Sequence, residues 1–247
     1  MKKVLYIIIT IALIGTMLIS AINIFNNLTE DKKQEKVYNE LSQYISVENQ
    51  RENNEEQQSE DYSKVFKLNT DMVAWLKIEG TNINYPVMQT PQNPDYYINK
   101  NFYKQDSSWG TPYMEEECDI NSSSNLIIYG HHINNHRVFG ELENYKDKKY
   151  YNNHKVIKLI TERDVREYEI VTVFKTTVYE ENEFKYYEFI NYKTQQQLDN
   201  FINQCESKAF YNTGVKCTGG DKLITLSTCE YSSKNGRLVV VAKEIKR

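Results

Sequence analysis

The sequence predicts a mainly β fold with accessory helices, in which short strands close, or nearly close, into a barrel. Two observations support this prediction. Short runs of apolar residues are separated by polar turns, and apolar residues at helical spacing are confined to a few segments. The predicted strands are 75–78, 83–87, 126–129, 156–160, 165–174, 222–226 and 238–242.

The chain begins with a long apolar segment. Residues 4–25 are almost continuously apolar, and as a helix these 22 residues would span about 33 Å, enough to cross a hydrocarbon core of about 30 Å. A cleaved signal peptide is the alternative, but the run is long for one and residues 20–22 form a poor cleavage site. We therefore expect residues 1–25 to be a cytoplasmic stub and transmembrane anchor, with Lys2 and Lys3 inside the cell.

A polar segment, 26–61, separates this anchor from the folded domain. Val37 and Leu41 begin a short helical stripe, and residues 48–61 contain no apolar side chain. This composition predicts a helix followed by a flexible, solvated spacer, with a disordered stalk as the alternative. A single folded domain is expected from 62 to 247.

Two helices are predicted within that domain. Val65 and Phe66 indicate a short one before the first strand, and Thr194 and Gln197 form a T-x-x-Q capping box at the start of a longer one. Behind the capping box, apolar residues recur at helical spacing and predict a buried face: Leu198, Phe201, Ile202 and Cys205.

Charge and cysteine content narrow the possible functions. The formal net charge is −4, without a long run of Lys or Arg, so nucleic acid is not an expected partner. Outside the cell, four cysteines would by default form two disulfides; if one must stay a thiol for catalysis, at least one of the other three is unpaired. The four cysteines are Cys118, Cys205, Cys217 and Cys229. They do not form a C-x-x-C pair, which argues against a zinc ribbon or a thioredoxin-like motif.

Three segments place reactive side chains at the ends of predicted strands. Residues 223–230 (LITLSTCE) run from an apolar strand into Cys229, and residues 125–131 (NLIIYGH) end another strand at His131. A third strand opens with Arg237, eight residues after the cysteine. If the residues between them form a hairpin loop, Arg237 returns beside Cys229 on the neighbouring strand.

The chemistry explains why a cysteine, a histidine and an arginine belong together. A thiol becomes a good nucleophile when it ionises, and a nearby cation favours ionisation. A histidine can deliver the proton that a leaving amine needs, and an arginine supplies a fixed positive charge for a developing oxyanion. An Asp or Asn that would orient the imidazole, as in papain-like sites, is not evident from the sequence.

Each residue alone also has a plainer interpretation. A single cysteine is more often structural than catalytic, and Arg237 alone would pass for a charge at a strand edge. His132, His136 and His154 are expected at the surface.

Taken together, the segments resemble a known family, the class B sortases. The resemblance extends from about residue 62 to the end of the chain. It rests on TLSTC at 225–229 with Arg237, IIYGHH at 127–132, VAWLKIEGT at 73–81, NYPVMQ at 84–89, YIN at 97–99 and FGEL at 139–142.

The resemblance implies a sortase-type closed barrel and a transpeptidase mechanism. Sortases cleave a C-terminal sorting motif after its Thr, hold the acyl group as a thioester, and pass it to an amine of the cell-wall peptidoglycan precursor. In this chain Cys229 would be the nucleophile, His131 the general acid/base and Arg237 the oxyanion stabiliser. The backbone N–H of Glu230 would be a second oxyanion donor.

The resemblance also implies partners and a place in the cell. Class B relatives favour Asn-Pro-x-Thr or related motifs on surface proteins, and carry a helix-bearing insertion between two late strands, here 179–211. The enzyme would be single-pass in the cell membrane with its catalytic domain outside. The positions that line the peptide groove in that class correspond here to Asn93, Ile98, Tyr186 and Ser227.

Two departures separate the chain from other sortase classes. The sequence has no Asp-Pro dipeptide, which the lid of the pilus-building class C enzymes often carries. The class A enzymes can use acidic loop residues to bind calcium, but we expect the acidic residues 115–117 to be solvated and expect no metal and no cofactor.

Two other functions remain open from the sequence. A secreted cysteine peptidase would need the same cysteine and histidine and would release its product to water. An anchored binding module could keep the barrel without the chemistry.

Overall fold

The computed structural model describes residues 2–52, 55–180 and 182–246, which form two units divided between Gln43 and Tyr44. The first unit is one helix, α1 (Lys2–Gln43). By length and composition it can cross a membrane, and large apolar side chains are exposed along it from Tyr6 to Phe25. The predicted anchor and the predicted helical part of the spacer are thus one continuous helix, and no proline occurs before Pro86 to end it.

The second unit begins with an antiparallel hairpin of β1 (Ser46–Glu52) and β2 (Glu55–Asp61). The sequence predicts a flexible, solvated spacer over most of this range. Strand pairing joins main-chain groups, which every non-proline residue carries, so an almost wholly polar composition does not exclude it. The segment boundaries 1–25, 26–61 and 62–247 remain predictions of the sequence.

The elements that follow this hairpin, with 3₁₀ helices labelled η, are α2 (Ser63–Leu68), β3 (Met72–Lys77), β4 (Asn84–Met88), η1 (Tyr96–Asn99), β5 (Tyr113–Met114), β6 (Asn125–Tyr129), β7 (His132–Ile133), β8 (Arg137–Val138), η2 (Gly140–Lys146), α3 (Lys148–Asn153), β9 (Val156–Ile160), β10 (Val165–Thr177), η3 (Tyr186–Glu188), α4 (Gln195–Ser207), β11 (Leu223–Glu230) and β12 (Gly236–Glu244).

Eight of these strands form a closed barrel in the order β10-β12-β11-β6-β5-β4-β3-β9, which confirms the predicted fold class. The pairs β11–β6 and β4–β5 are parallel and the other barrel pairs antiparallel.

Apolar side chains fill the barrel core. Leu76, Ile128, Leu226 and Val240 are fully buried, each from a different strand. The large indole of Trp75 is also fully buried, and its N–H donates to Asn84 Oδ1 at 2.6 Å, so its one polar atom keeps a partner. This packed interior holds β6, β11 and β12 rigidly, and the candidate reactive residues lie on or just after these three strands.

The helix-bearing insertion lies between β10 and β11, as expected. Thr194 and Gln197 form the predicted capping box at the start of α4. The predicted apolar face of the helix is buried, and the ring of Phe201 stacks on that of Phe189 with centroids 3.9 Å apart. The insertion therefore has its own apolar core against the outside of the barrel.

All four cysteines lie within the described residues, and all four are free thiols, so the two disulfides expected by default are absent. Burial raises the pKa of Cys118 and of Cys217 to about 11, and raises that of Cys205 well above its usual value. These three thiols therefore stay protonated at neutral pH and are poor nucleophiles.

Candidate active site

Cys229 and Arg237 lie directly opposite each other in the antiparallel pair β11–β12. Opposite residues in such a pair project their side chains to the same face. The connecting loop is tight, because a Cβ on Gly236 would collide with the carbonyl oxygen of Glu230. The hairpin predicted from the eight-residue spacing is thus present, and it places Arg237 opposite Cys229 on the neighbouring strand.

His131 reaches the same place from the parallel neighbour of β11. Tyr129, the last residue of β6, pairs with Ser227, and the N–H of Gly130 then donates to the Ser227 carbonyl at 3.1 Å. A Cβ at Gly130 would come within 2.6 Å of the Phe139 ring, so glycine is needed for this close approach. The chain can therefore stay close to β11 beyond the end of β6, and His131 follows directly.

Cys229, His131 and Arg237 line a single cavity of about 390 Å³. Of the four cysteines, only Cys229 is among its lining residues. Three of the side chains that the sequence resemblance assigns to the peptide groove also line it: Ile98, Tyr186 and Ser227.

Asn93 and Glu230 lie beyond the lining residues. Asn93 belongs to a turn in which its N–H donates to the Thr90 carbonyl at 2.9 Å, and the next two residues, Pro94 and Asp95, reach the cavity. The Glu230 carboxylate is buried and accepts hydrogen bonds from Lys146 Nζ at 2.9 Å and from the N–H of Ser232 at 3.1 Å. Burial by itself would raise the pKa of Glu230, but these bonds outweigh burial and lower it to about 2.

The imidazole of His131 is oriented by a backbone group. Its Nε2 is 2.7 Å from the carbonyl oxygen of Ile98. A carbonyl oxygen only accepts, so Nε2 carries the hydrogen in this contact. The sequence contains no signal for this bond, because the acceptor is main chain from a segment 33 residues away.

Tyr186 of the insertion is hydrogen-bonded to β11, the strand that carries Cys229. Its hydroxyl forms a 2.7 Å hydrogen bond with Ser227 Oγ, and both side chains are buried. Burial raises the pKa of Tyr186 to about 12, while the bond to Ser227 and the charge of Arg237 act in the opposite direction. The phenol is therefore neutral at physiological pH and acts here as a hydrogen-bonding group.

Part of the cavity lining is acidic. Asp95, Glu115 and Glu116 line it, and Glu115 Oε2 accepts a 2.6 Å hydrogen bond from the Tyr129 hydroxyl. The expectation of a solvated acidic run therefore fits the exposed Glu116 and Glu117, whereas Glu115 is half-buried and bonded to β6.

His132 is the residue that sequence reasoning misplaced. It was expected at the surface, but its side chain is only 12% exposed and its Nδ1 lies 3.1 Å from the carbonyl oxygen of Cys229. His154 is also partly buried, with Nδ1 3.0 Å from the Tyr150 carbonyl, and only His136 of these three is exposed. His132 directly follows His131 in the sequence, and this adjacency was the signal that could have placed it near the site.

Comparison with known proteins gives a family match over most of the chain. Residues 76–245 match the family model described as the Sortase domain. Sortase B of Staphylococcus aureus (strain NCTC 8325 / PS 47) is 31% identical over 249 residues, which covers 100% of this chain and 98% of that protein.

Solved structures of sortase B share the fold. A Staphylococcus aureus sortase B–substrate complex is similar with a TM-score of 0.67 and 33% identity, covering 74% of this chain and 83% of that chain. A sortase B complexed with triglycine is similar with a TM-score of 0.67 and 32% identity, covering 75% and 85%.

The chain therefore belongs to the sortase family, among the class B enzymes. The resemblance noted from the sequence is confirmed, and with it a cysteine transpeptidase of the cell-wall sorting type.

Proposed function

We propose that this enzyme cleaves a C-terminal sorting motif after its Thr, holds the protein as a thioester on Cys229, and transfers it to an amine of the peptidoglycan precursor. The observation that carries the proposal is the meeting of Cys229, His131 and Arg237 around one cavity, with the thiol and the guanidinium in register on neighbouring strands.

In the first half of the proposed reaction, the Cys229 thiolate attacks the carbonyl carbon of the motif's Thr. A C–S bond forms, and the charge that develops on the carbonyl oxygen is stabilised by Arg237 and by the backbone N–H of Glu230. The C–N bond then breaks, and His131 gives a proton to the departing amine.

In the second half, the acceptor amine attacks the thioester. His131 takes the proton that the amine loses, the C–S bond breaks, and the Cys229 thiolate is regenerated. The Ile98 carbonyl orients the imidazole, as a carboxylate or amide side chain does in other cysteine and serine enzymes.

The proposed peptide groove is formed by Ile98, Tyr186 and Ser227 in the cavity, with Asn93 at its edge. A volume of about 390 Å³ lies within the usual range for binding sites of small ligands, roughly 300–1,000 Å³, and suits a few residues of a motif such as Asn-Pro-x-Thr. The similar Staphylococcus aureus sortase B binds a substrate, and another sortase B binds triglycine, which supports a peptide donor and an amine acceptor.

The proposed location is the cell membrane, with a single pass through α1. The helix is long and apolar enough, and Lys2 and Lys3 at its start favour a cytoplasmic N-terminus. The barrel would then work outside the cell, on surface proteins that carry the sorting signal.

The test is to incubate the full chain, in detergent, with a labelled Asn-Pro-x-Thr peptide, with and without triglycine. We expect an amide product that requires triglycine, lost in Cys229→Ala and retained in the matched control Cys217→Ala. Hydrolysis at an unchanged rate without amide would indicate a peptidase. Peptide binding equal in wild type and Cys229→Ala, without turnover in either, would indicate a binding module.

A further inference from the structure

The hydrogen-bond ladder that supports the nucleophile strand on its β6 side ends just before Cys229. Its last main-chain rung is the bond from the N–H of Gly130 to the Ser227 carbonyl, at 3.1 Å. Carbonyl groups alternate in direction along a strand, so the next one that faces this side belongs to Cys229. After Gly130 the chain turns away into the small hairpin of β7 and β8.

The side chain of His132, in place of a main-chain N–H, makes the next hydrogen bond, to the Cys229 carbonyl. Its Nδ1 is 3.1 Å from the Cys229 carbonyl oxygen, and since a carbonyl only accepts, the ring nitrogen donates. A second bond supports the same strand end, from Thr228 Oγ1 to the Gly130 carbonyl at 2.8 Å. The imidazole thus extends the hydrogen bonding along this side of β11 from Ser227 to Cys229, the residue that carries the thiol.

The imidazole of His132 lies against η2. Its Nε2 is 3.4 Å from Glu143 Oε2, and its ring makes a T-shaped contact with the Tyr231 ring, with centroids 5.2 Å apart. Lys146, also on η2, bonds to Glu143 at 2.7 Å and to Glu230 at 2.9 Å. The same short helix therefore packs beside His132 and binds the carboxylate of the residue after Cys229.

These contacts separate His132 from the reacting groups. One ring nitrogen faces a main-chain carbonyl and the other faces a carboxylate, and His132 is not among the residues that line the cavity. A general acid or base needs a nitrogen within reach of the substrate. The geometry therefore suits a residue that acts through Cys229.

We propose that His132 is a positioning residue that fixes the main chain of Cys229. This inference rests on the proposed function, because it takes Cys229 as the nucleophile. A misplacement of about 1 Å at a reacting group can lower the rate about 10²-fold. Loss of the hydrogen bond to the Cys229 carbonyl is therefore expected to lower kcat strongly.

The test compares two variants of the same shape. His132→Asn keeps an N–H donor near the position of Nδ1, whereas His132→Leu has none. Transpeptidation is measured for both with the labelled Asn-Pro-x-Thr peptide and triglycine. We expect kcat to fall about 10- to 100-fold in His132→Leu with little change in KM, and to recover to within a few-fold of wild type in His132→Asn.

Two further measurements keep the result specific. Mass spectrometry of the Cys229 peptide after iodoacetamide treatment should show slower alkylation in His132→Leu than in His132→Asn. His136→Asn, in the exposed turn after His132 and with φ of 59°, a conformation that Asn tolerates, should match wild type. If His132→Leu does not fold, His132→Gln replaces it, because its amide lies one bond farther out, away from the Cys229 carbonyl.

The outcomes distinguish this inference from the proposed function. Equal kcat in the Asn and Leu variants, with turnover abolished by Cys229→Ala, would overturn the positioning role alone. Turnover that survives Cys229→Ala would overturn the proposed function as well.

Discussion

Cys229 and Arg237 face each other in register across the β11–β12 hairpin, and both side chains line the same cavity. The guanidinium also donates to the carbonyl of the adjacent Gly236 at 2.9 Å, which anchors it at the start of β12. A charge fixed in this way needs little reorganisation when an oxyanion forms.

Replacement of Arg237 tests that arrangement. We expect Arg237→Ala to lower kcat by about 10²–10³-fold, the usual cost of losing one oxyanion donor, with only a small change in unfolding free energy. Arg237→Lys should recover a minor part, because an ammonium lacks the planar fork of donors. Steady-state kinetics with peptide and triglycine measure this, and the exposed Arg163→Ala is the control. Wild-type kcat in Arg237→Ala would contradict the assigned role.

The buried bond between Tyr186 and Ser227 predicts a coupled effect on stability. Tyr186→Phe and Ser227→Ala each leave one buried hydroxyl without its partner, at a cost of about 1–3 kcal/mol. The double variant should lose less than the sum of the two. Denaturant unfolding followed by fluorescence of Trp75 and Trp109, both buried in the barrel unit, measures these changes. Strict additivity would show that the two hydroxyls do not interact in solution.

The Glu230 carboxylate predicts a dependence of stability on pH. Its pKa falls from 4.5 to about 2 in the folded chain, so its contribution to stability is complete above about pH 4.5 and disappears as pH falls toward 2. Glu230→Gln should therefore lower the unfolding free energy at pH 7, by about 1–3 kcal/mol, and much less at pH 2.5. Unfolding at both pH values gives the answer, with Glu162→Gln at an exposed turn as control. A loss of equal size at both would point to packing as the cause.

Gly130 predicts a steric effect on both stability and activity. A methyl group there would press on the Phe139 ring, so Gly130→Ala should cost about 1–3 kcal/mol and lower kcat by displacing His131. Adding Phe139→Leu, which removes the clashing ring, should restore part of the activity. Thermal unfolding and steady-state kinetics of the single and double variants check this, and the idea fails if the second change restores nothing.

The elements that the sequence predicted well are those encoded by local patterns. The β11–β12 hairpin followed from the spacing of Cys229 and Arg237, and the start of α4 followed from Thr194 and Gln197. Apolar alternation located most barrel strands, although β5 (Tyr113–Met114) is too short to leave such a pattern.

The features that the sequence did not predict depend on contacts between distant main-chain and side-chain atoms. The bond from His131 to the Ile98 carbonyl has no side-chain signal at residue 98, and the role of His132 depends on where the β6–β11 ladder ends. The hairpin of β1 and β2 joins polar residues whose composition indicated a solvated spacer. Likewise, cysteine number alone could not show that Cys118 and Cys205 would be buried free thiols.

The proposed function depends on a thioester at Cys229, which mass spectrometry of the trapped acyl-enzyme detects. The full chain is mixed with an Asn-Pro-x-Thr peptide without an amine, quenched in acid and digested. We expect the mass of the acyl fragment ending in Thr on the peptide that contains Cys229, and its disappearance when triglycine is added before the quench. Turnover without any adduct on Cys229, or an adduct on Cys118, Cys205 or Cys217 instead, would contradict it.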